Sequence, residues 1–273
     1  MSTKTRISVL GGGNIGSAIA LGLINSKQYD PSEIIITRRN QELLKTFLAK
    51  GFKTAPNNAS AVKETEIVIV AVTPQQLNGL LAEIKNELDP KKHIVISIVS
   101  GATIKEIRKH LGSDIPVLRV MPNTAIAIQE SMTCISAEPQ DHDKLDIAKK
   151  IFDTLGKSLV IEEELMVPAT ALCACGIAFF LRAVRAASQG GIEIGFHSED
   201  ALLMAAQTAK GAASLLLSMG NHPENEVDKV TTPRGCTISG LNQMEHSGFS
   251  SAMIKGIITS AEKAAVLYSP KED

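Results

Sequence analysis

The sequence predicts a two-domain α/β chain: a doubly wound parallel sheet at the N-terminus and an all-α C-terminal domain that pairs with a copy of itself. Three observations carry that expectation. Short β-branched runs alternate with helix-like segments through the first 160 residues, the pattern of a parallel sheet with helices on both faces. A glycine-rich turn, Gly11-x-Gly13-x-x-Gly16, follows the first run and opens the first helix. After Glu164 the β-branched runs stop, and segments rich in alanine, leucine and methionine take over.

In chain order, the strand-like runs lie at 6–10, 33–37, 66–72, 93–99 and 115–121, and helix-like segments at 15–25, 41–50, 75–88 and 104–111 fill the gaps. Stretches 132–136 and 159–162 could add edge strands, and 142–155 reads as a helix between them. The later segments include "ALCACGIAFFLRAVRAASQGGIEIG" and "EDALLMAAQTAKGAASLLLSMG", which are apolar nearly all round. Such helices are buried on most sides. Residues 165–273 would expose too much apolar surface alone, so they are expected to pack against a second copy. The expected division is 1–162 and 163–273, joined near 161–165, with no internal repeat.

Composition narrows the function. Hydrophobic residues make up 44% and charged residues 21% of the 273 positions, with net charge −1, 3% aromatics and no tryptophan. A large core is expected, with neither nucleic acid nor a membrane surface as partner. No leader sequence is read at the N-terminus. The longest uncharged apolar stretch, 166–181, has 16 residues and is short for a membrane span. Four cysteines in a chain of this size do not make a disulfide framework, which suits the cytoplasm. Cys173-x-Cys175 lacks a second pair at zinc spacing, so no metal is expected. The six histidines show no paired spacing, and 162–164 reads as a solvated run of glutamates.

The glycine turn has the context of a Rossmann-type dinucleotide site, lying between a strand and a helix with a second strand about twenty residues on. Gly11 permits the tight turn, Gly13 lets a pyrophosphate approach, and Gly16 lets helix and strand pack. Asn14 and Ile15 open the helix whose N-terminus receives the anion. The second strand ends in Thr37-Arg38-Arg39, with no acid to bond a ribose 2′-hydroxyl. Two guanidinium groups and a hydroxyl suit a 2′-phosphate, so NADPH is favoured and NADH possible.

The stretch "VTTPRGCTISG", 230–240, reads as a helix entry with Thr232 as cap and Pro233 in the first turn. The N–H groups of Gly235, Cys236 and Thr237 would then form a nest for a carboxylate. An N-capped turn between two core helices explains the same residues, and spacing alone leaves both readings open.

"VTTPRGCTISGLNQMEHSG" resembles the signature of the pyrroline-5-carboxylate reductases. So do "ISVLGGGNIGSAIALGL", "PNNASAVKETEIVIVAVTP", "VISIVSGATI" and "VLRVMPNTAIAI", in order along essentially the whole chain. The resemblance implies NADPH-dependent reduction of 1-pyrroline-5-carboxylate to L-proline, the last step of proline biosynthesis. It places Gly11, Gly13, Asn14, Ile15 and Gly16 on the dinucleotide phosphates and Thr37, Arg38 and Arg39 on the 2′-phosphate. Asn58 falls near the adenosine ribose, and Asn123 near the nicotinamide. Ala71, Val72, Thr73, Pro74, Val99, Ser100 and Gly101 line the cofactor cleft. Thr232, Arg234, Gly235, Cys236 and Thr237 hold the substrate, with Thr237 at its ring nitrogen as the catalytic contact. The resemblance also implies a homodimer, or a larger assembly of dimers, in which the substrate turn is contributed across the interface.

Three places depart from the family pattern. Thr73 stands where lysine is usual, Arg234 stands where a second glycine is usual, and 173–178 reads Cys-Ala-Cys-Gly-Ile-Ala for Ser-Gly-Ser-Gly-Pro-Ala. Two rival readings remain at this point. A β-hydroxyacid dehydrogenase relies on a lysine early in the helical domain, and none lies between Lys157 and Lys210. A dimer that senses NADP(H) without catalysis is the other.

Overall fold

The computed structural model describes residues 6–268. By internal packing the chain forms two units: the first runs through Cys175 and resumes at Ser260, and the second is Gly176–Thr259. These units divide the chain differently from the 1–162 and 163–273 partition, because Met166 and Ala169 pack with Met121 and Cys134 of the sheet, while Tyr268 joins the sheet's other core.

The first unit holds eight strands: β1 (Ile7–Leu10), β2 (Ile34–Thr37), β3 (Lys53–Thr54), β4 (Ile67–Val70), β5 (Ile94–Ser97), β6 (Val117–Met121), β7 (Ser131–Ala137) and β8 (Gly156–Val160). They lie in the order β3-β2-β1-β4-β5-β6-β7-β8. Neighbours are parallel except β6 and β7, which run antiparallel with Met121 opposite Cys134. Alternation explains the unbroken β-branched runs. Ile7, Val9, Ile34, Ile36, Ile67 and Ile69 enter one core, whereas Leu10, Ile35, Val68 and Val70 enter the other. Both faces are covered, so neither needs polar residues.

Six helices accompany the sheet: α1 (Asn14–Asn25), α2 (Lys45–Leu48), α3 (Asn58–Lys63), α4 (Pro74–Ile84), α5 (Ile104–Leu111) and α6 (Leu145–Asp153). α1 and α6 cover one face through Ile19, Leu23, Ile151 and Phe152, and α4 and α5 cover the other through Leu77, Leu81, Ile104 and Ile107. The expected helix at 41–50 is instead a 3-10 turn, Gln41–Leu44, followed by the single turn of α2, and the two-residue β3 was not foreseen. A short α7 (Met166–Ala169) leads into a π-helical turn, Thr170–Cys175, where Thr170 Oγ1 donates to the Met166 carbonyl at 2.8 Å.

The glutamate run is not simply solvated. Glu163 Oε1 accepts from the N-terminal amide of α5, Ile104 N–H, at 2.7 Å and from buried Arg119 Nη1 at 3.2 Å.

The remaining helices are α8 (Gly176–Glu193), α9 (Ser198–Met219), α10 (Pro223–Val230), α11 (Cys236–His246) and α12 (Phe249–Ala265), the last extending beyond the second unit. α8 to α11 bury only Gly176, Ser188 and Ala201, and leave Leu203 69% and Leu217 80% exposed. Two stretches, Glu163–Glu193 with mean hydropathy 1.9 and Ser198–Met219 with 1.2, are long and apolar enough to cross a membrane by length and composition. The sequence reading counted only the 16 uncharged residues 166–181; the helical stretch continues past Arg182 and Arg185.

Candidate dinucleotide cleft and substrate turn

A cleft of about 870 Å³ opens at the carboxyl ends of β1, β2 and β4, the place where doubly wound sheets bind ligands. Its volume is in the range of sites that enclose a large organic ligand. Gly11, Gly13, Thr37, Arg38, Arg39, Asn58, Ala71, Val72 and Thr73, all read from sequence as cofactor residues, are among its lining.

The glycine turn fits a dinucleotide position by position. Gly11 has φ +109°, and a Cβ there would overlap the Ala71 carbonyl. A Cβ on Gly16 would overlap the Gly11 carbonyl, which locks helix α1 against the turn. Gly13 is different: nothing lies within 4 Å of the place its Cβ would occupy. Gly13 also caps α1 without a side-chain hydrogen bond, so the first amides of this 12-residue helix have no side-chain cap and suit an anion.

β2 is tied to this turn. The Thr37 carbonyl accepts from the Gly11 N–H at 3.2 Å and the Gly12 N–H at 2.7 Å. Arg38 Nη1 donates to the Gly12 carbonyl at 2.7 Å, which leaves the rest of its guanidinium for a ligand. Arg39 is exposed and forms no ion pair among the described residues. Thr37 is buried, and its hydroxyl donates to Asn58 Oδ1 at 2.5 Å. That hydroxyl, read from sequence as a phosphate ligand, is already committed to orienting Asn58. Asn58 in turn donates from its backbone N–H to Glu83 Oε1 and from Nδ2 to Glu83 Oε2, both at 2.7 Å.

The other sequence-derived cofactor residues do not line this cleft. Asn14, Ile15 and Pro74 belong to the first turns of α1 and α4. Val99, Ser100 and Gly101 follow β5, the sheet neighbour of β4; at Gly101, φ +86°, a Cβ would stand 2.9 Å from Tyr268 N. Asn123 caps a 3-10 turn by accepting from Ala125 N–H at 3.0 Å, and its Nδ2 reaches the Cys173 carbonyl at 3.4 Å.

Sequence reasoning missed Gln75, Gln76 and Glu83, which also line the cleft. The two glutamines follow the β4–α4 junction directly, so the rule that ligands meet the strand ends could have found them. Glu83 sits near the far end of α4, and nothing local marks it.

Near Asn123, Cys134 and Cys173 pack together with Met121 and Met166. A thiol–thiol hydrogen bond holds the Cys173 thiol down to about 7 against its burial. The same bond, with burial, pushes Cys134 well above the usual thiol range.

The second unit carries the turn that the sequence reading assigns to the substrate. The Gly235 N–H donates to the Thr232 carbonyl at 2.9 Å, closing a turn with Pro233 second and Arg234 third. α11 begins at Cys236 with Gly235 as its cap and no side-chain cap bond. The cap is therefore not Thr232, and Pro233 lies outside the helix, because the closed turn delays helix entry. It also takes one donor from the expected nest: the Gly235 amide is spent, and those of Cys236 and Thr237 begin the helix. Arg234 has φ +61°, the left-handed conformation that the third position of such turns usually gives to glycine.

Comparison with known proteins agrees with both regions. Residues 6–101 match a family described as "NADP oxidoreductase coenzyme F420-dependent", and residues 163–267 match "Pyrroline-5-carboxylate reductase dimerisation". Pyrroline-5-carboxylate reductase 1 of Dictyostelium discoideum is 56% identical over 97% of the chain, which spans 50% of that relative's length. Pyrroline-5-carboxylate reductase 2 of the same organism is 47% identical over 97% of the chain and 94% of its own length. The pyrroline carboxylate reductase of Plasmodium falciparum, solved with NADP bound, superposes with a TM-score of 0.88 at 23% identity, covering 97% of this chain and 99% of that one. With residues 163–267 matched by that dimerisation family and a reductase 47% identical over 94% of its own length, the chain belongs to the pyrroline-5-carboxylate reductase family.

Proposed function

We propose that this chain reduces 1-pyrroline-5-carboxylate to L-proline with NADPH, accepting NADH as a poorer donor. The observation that carries the reading is the cleft in which an open Gly13, the N-cap of α1, lies with Arg38 and Arg39, in a chain 47% identical to a reductase of nearly equal length. The dinucleotide, when bound, supplies a hydride for the imine carbon of the substrate.

The chain's own residues bind and orient. The amides of 13–16 take the pyrophosphate, and Arg38 and Arg39 take the 2′-phosphate, as paired guanidinium groups do well. Asn58 faces the adenosine ribose. Ala71 to Thr73 form the cleft wall, and Pro74, Val99 to Gly101 and Asn123, outside that lining, serve the nicotinamide end of the cofactor. The Cys236 and Thr237 amides and the Arg234 side chain receive the substrate carboxylate, and the Thr237 hydroxyl meets the ring nitrogen. A protonated imine is already electrophilic, so orientation of two ligands supplies most of the catalysis.

The partition 1–162 for cofactor and 163–273 for substrate and assembly follows the same reading, with homodimers as the unit from which any larger assembly is built. A cytoplasmic site of action is part of the proposal, supported by four free cysteines.

The test is NADPH absorbance with purified protein and 1-pyrroline-5-carboxylate, with NADH in parallel. Oxidation dependent on both protein and imine, faster with NADPH, is expected. Dinucleotide binding without turnover would favour the silent sensor instead.

A further inference from the structure

β2 ends without an acid, yet an acid reaches the same cleft from another element. Glu83 of α4 lines it together with Thr37, Arg38 and Asn58. Both of its carboxylate oxygens are occupied once, by the Asn58 N–H and by Asn58 Nδ2, each at 2.7 Å. Asn58 Oδ1 is occupied once, by the Thr37 hydroxyl at 2.5 Å. The Thr37 carbonyl takes the two amides of the glycine turn. One hydrogen-bonded series thus runs from Gly11 to Glu83 and fixes the position of the carboxylate.

Counting donors and acceptors shows what this corner offers. Asn58 has given its backbone N–H and one amide hydrogen to Glu83, and Thr37 has given its hydroxyl proton. Each Glu83 oxygen keeps free lone-pair capacity, because a carboxylate accepts about four hydrogen bonds in all. The corner is therefore rich in acceptors and carries a negative charge, opposite in sign to Arg38 and Arg39 in the same cleft. An acceptor suits a ribose hydroxyl, which donates, and opposes a phosphate, which is anionic and only accepts.

Resting on the dinucleotide reading above, we propose that Glu83 is a specificity-determining residue of the cofactor cleft: its carboxylate accepts from an adenosine-ribose hydroxyl and works against the 2′-phosphate, so that it, with the arginines, sets the ratio of NADPH to NADH use. The arginines draw the phosphate in, and Glu83 keeps the unphosphorylated cofactor competitive. The acid that a strand-end motif would place on β2 is supplied here from α4.

The measurement is the calorimetric dissociation constant of NADP⁺ and of NAD⁺ for wild-type protein, Glu83→Gln and Glu83→Ala, at low and at physiological salt. Glu83 is exposed, so neither substitution empties a core site. In both variants NADP⁺ is expected to bind more tightly and NAD⁺ more weakly, widening the NAD⁺-to-NADP⁺ ratio of dissociation constants by about three-fold or more, the size of one solvent-screened charge interaction. The gain for NADP⁺ shrinks as salt rises. Equal weakening of both dinucleotides would overturn the proposal, since it would make Glu83 an anchor for Asn58 and nothing more. An unchanged ratio would overturn it too. Wild-type protein that binds neither dinucleotide would instead sink the cofactor reading on which the proposal stands.

Discussion

Arg234 occupies a turn position that costs its own backbone. At φ +61° an L-residue with a Cβ is disfavoured relative to glycine by about 1 kcal/mol. Arg234→Gly removes that strain and the cation together, and the two effects are separable. Thermal stability is expected to stay level or rise by up to about 1 kcal/mol, because the relief is partly offset by the entropy of glycine in the unfolded chain. If the guanidinium serves the substrate carboxylate, KM for 1-pyrroline-5-carboxylate rises several-fold while the NADPH KM holds. An unchanged substrate KM would leave Arg234 a spectator. Thr237→Ala probes the neighbouring contact: kcat/KM for the imine is expected to fall by about ten-fold or more, the loss of a hydrogen bond to a charged group, with dinucleotide binding intact. Cys173 offers a pH test. Its thiol is held down to about 7 by the hydrogen bond from Cys134, so alkylation by iodoacetamide, followed by peptide mapping, should rise through neutral pH. Since the thiolate is the nucleophile, Cys134→Ala should move that rise upward toward the ordinary value of 9.0.

Among the elements, the junction of β6, α5 and the start of the helical region is held by one carboxylate. Glu163 bonds Ile104 N–H at the head of α5 and Arg119 on β6. Arg119 is 4% exposed and Glu163 24%. Removing the acid strands a buried cation, which costs several kcal/mol in a dry site; partial solvent access reduces the expectation to about 2 kcal/mol. Glu163→Ala should therefore lower the urea midpoint clearly, while Lys144→Ala, whose pair with Asp143 is more solvated, should barely move it. A full-sized loss in both would show that burial is not the deciding variable. The same junction shows where sequence reading succeeds and fails. The strands of the sheet core were legible because burial on both faces writes continuous β-branched runs, and the glycine turn was legible because close backbone contact excludes a side chain at Gly11 and Gly16. The role of Glu163 was not, since three glutamates in a row look alike until Arg119 arrives from 44 residues away. Glu83 was hidden for the same reason, its partner Asn58 lying 25 residues away. The start of α11 was misplaced by the ambiguity of Thr-Pro: those residues suit a cap, and here they form a closed turn that postpones it.

For the molecule as a whole, the second unit presents a large apolar surface on a single chain. Its helices leave Phe180, Leu181, Leu203 and Leu217 exposed, and apolar surface in that quantity marks an interface. Pairing with a second copy covers it, and it raises the question of which chain supplies the turn at 232–237 to which cleft. Complementation answers this without a structure of the complex. Gly13→Val places a side chain where nothing lies within 4 Å, so it blocks the pyrophosphate path without disturbing the packed core. Thr237→Ala disables the turn. Each variant alone is nearly inactive on the proposed reading. If the turn of one chain serves the cleft of its partner, a mixed dimer has one doubly damaged site and one intact site. Random mixing makes about half the dimers mixed, so about a quarter of wild-type activity returns on co-expression. If each site is built from a single chain, every site in every dimer carries a lesion, and no activity returns. The two outcomes differ by far more than the error of an absorbance assay. Recovery would also show that catalysis requires the dimer, which ties the exposed apolar helices to the chemistry as well as to stability.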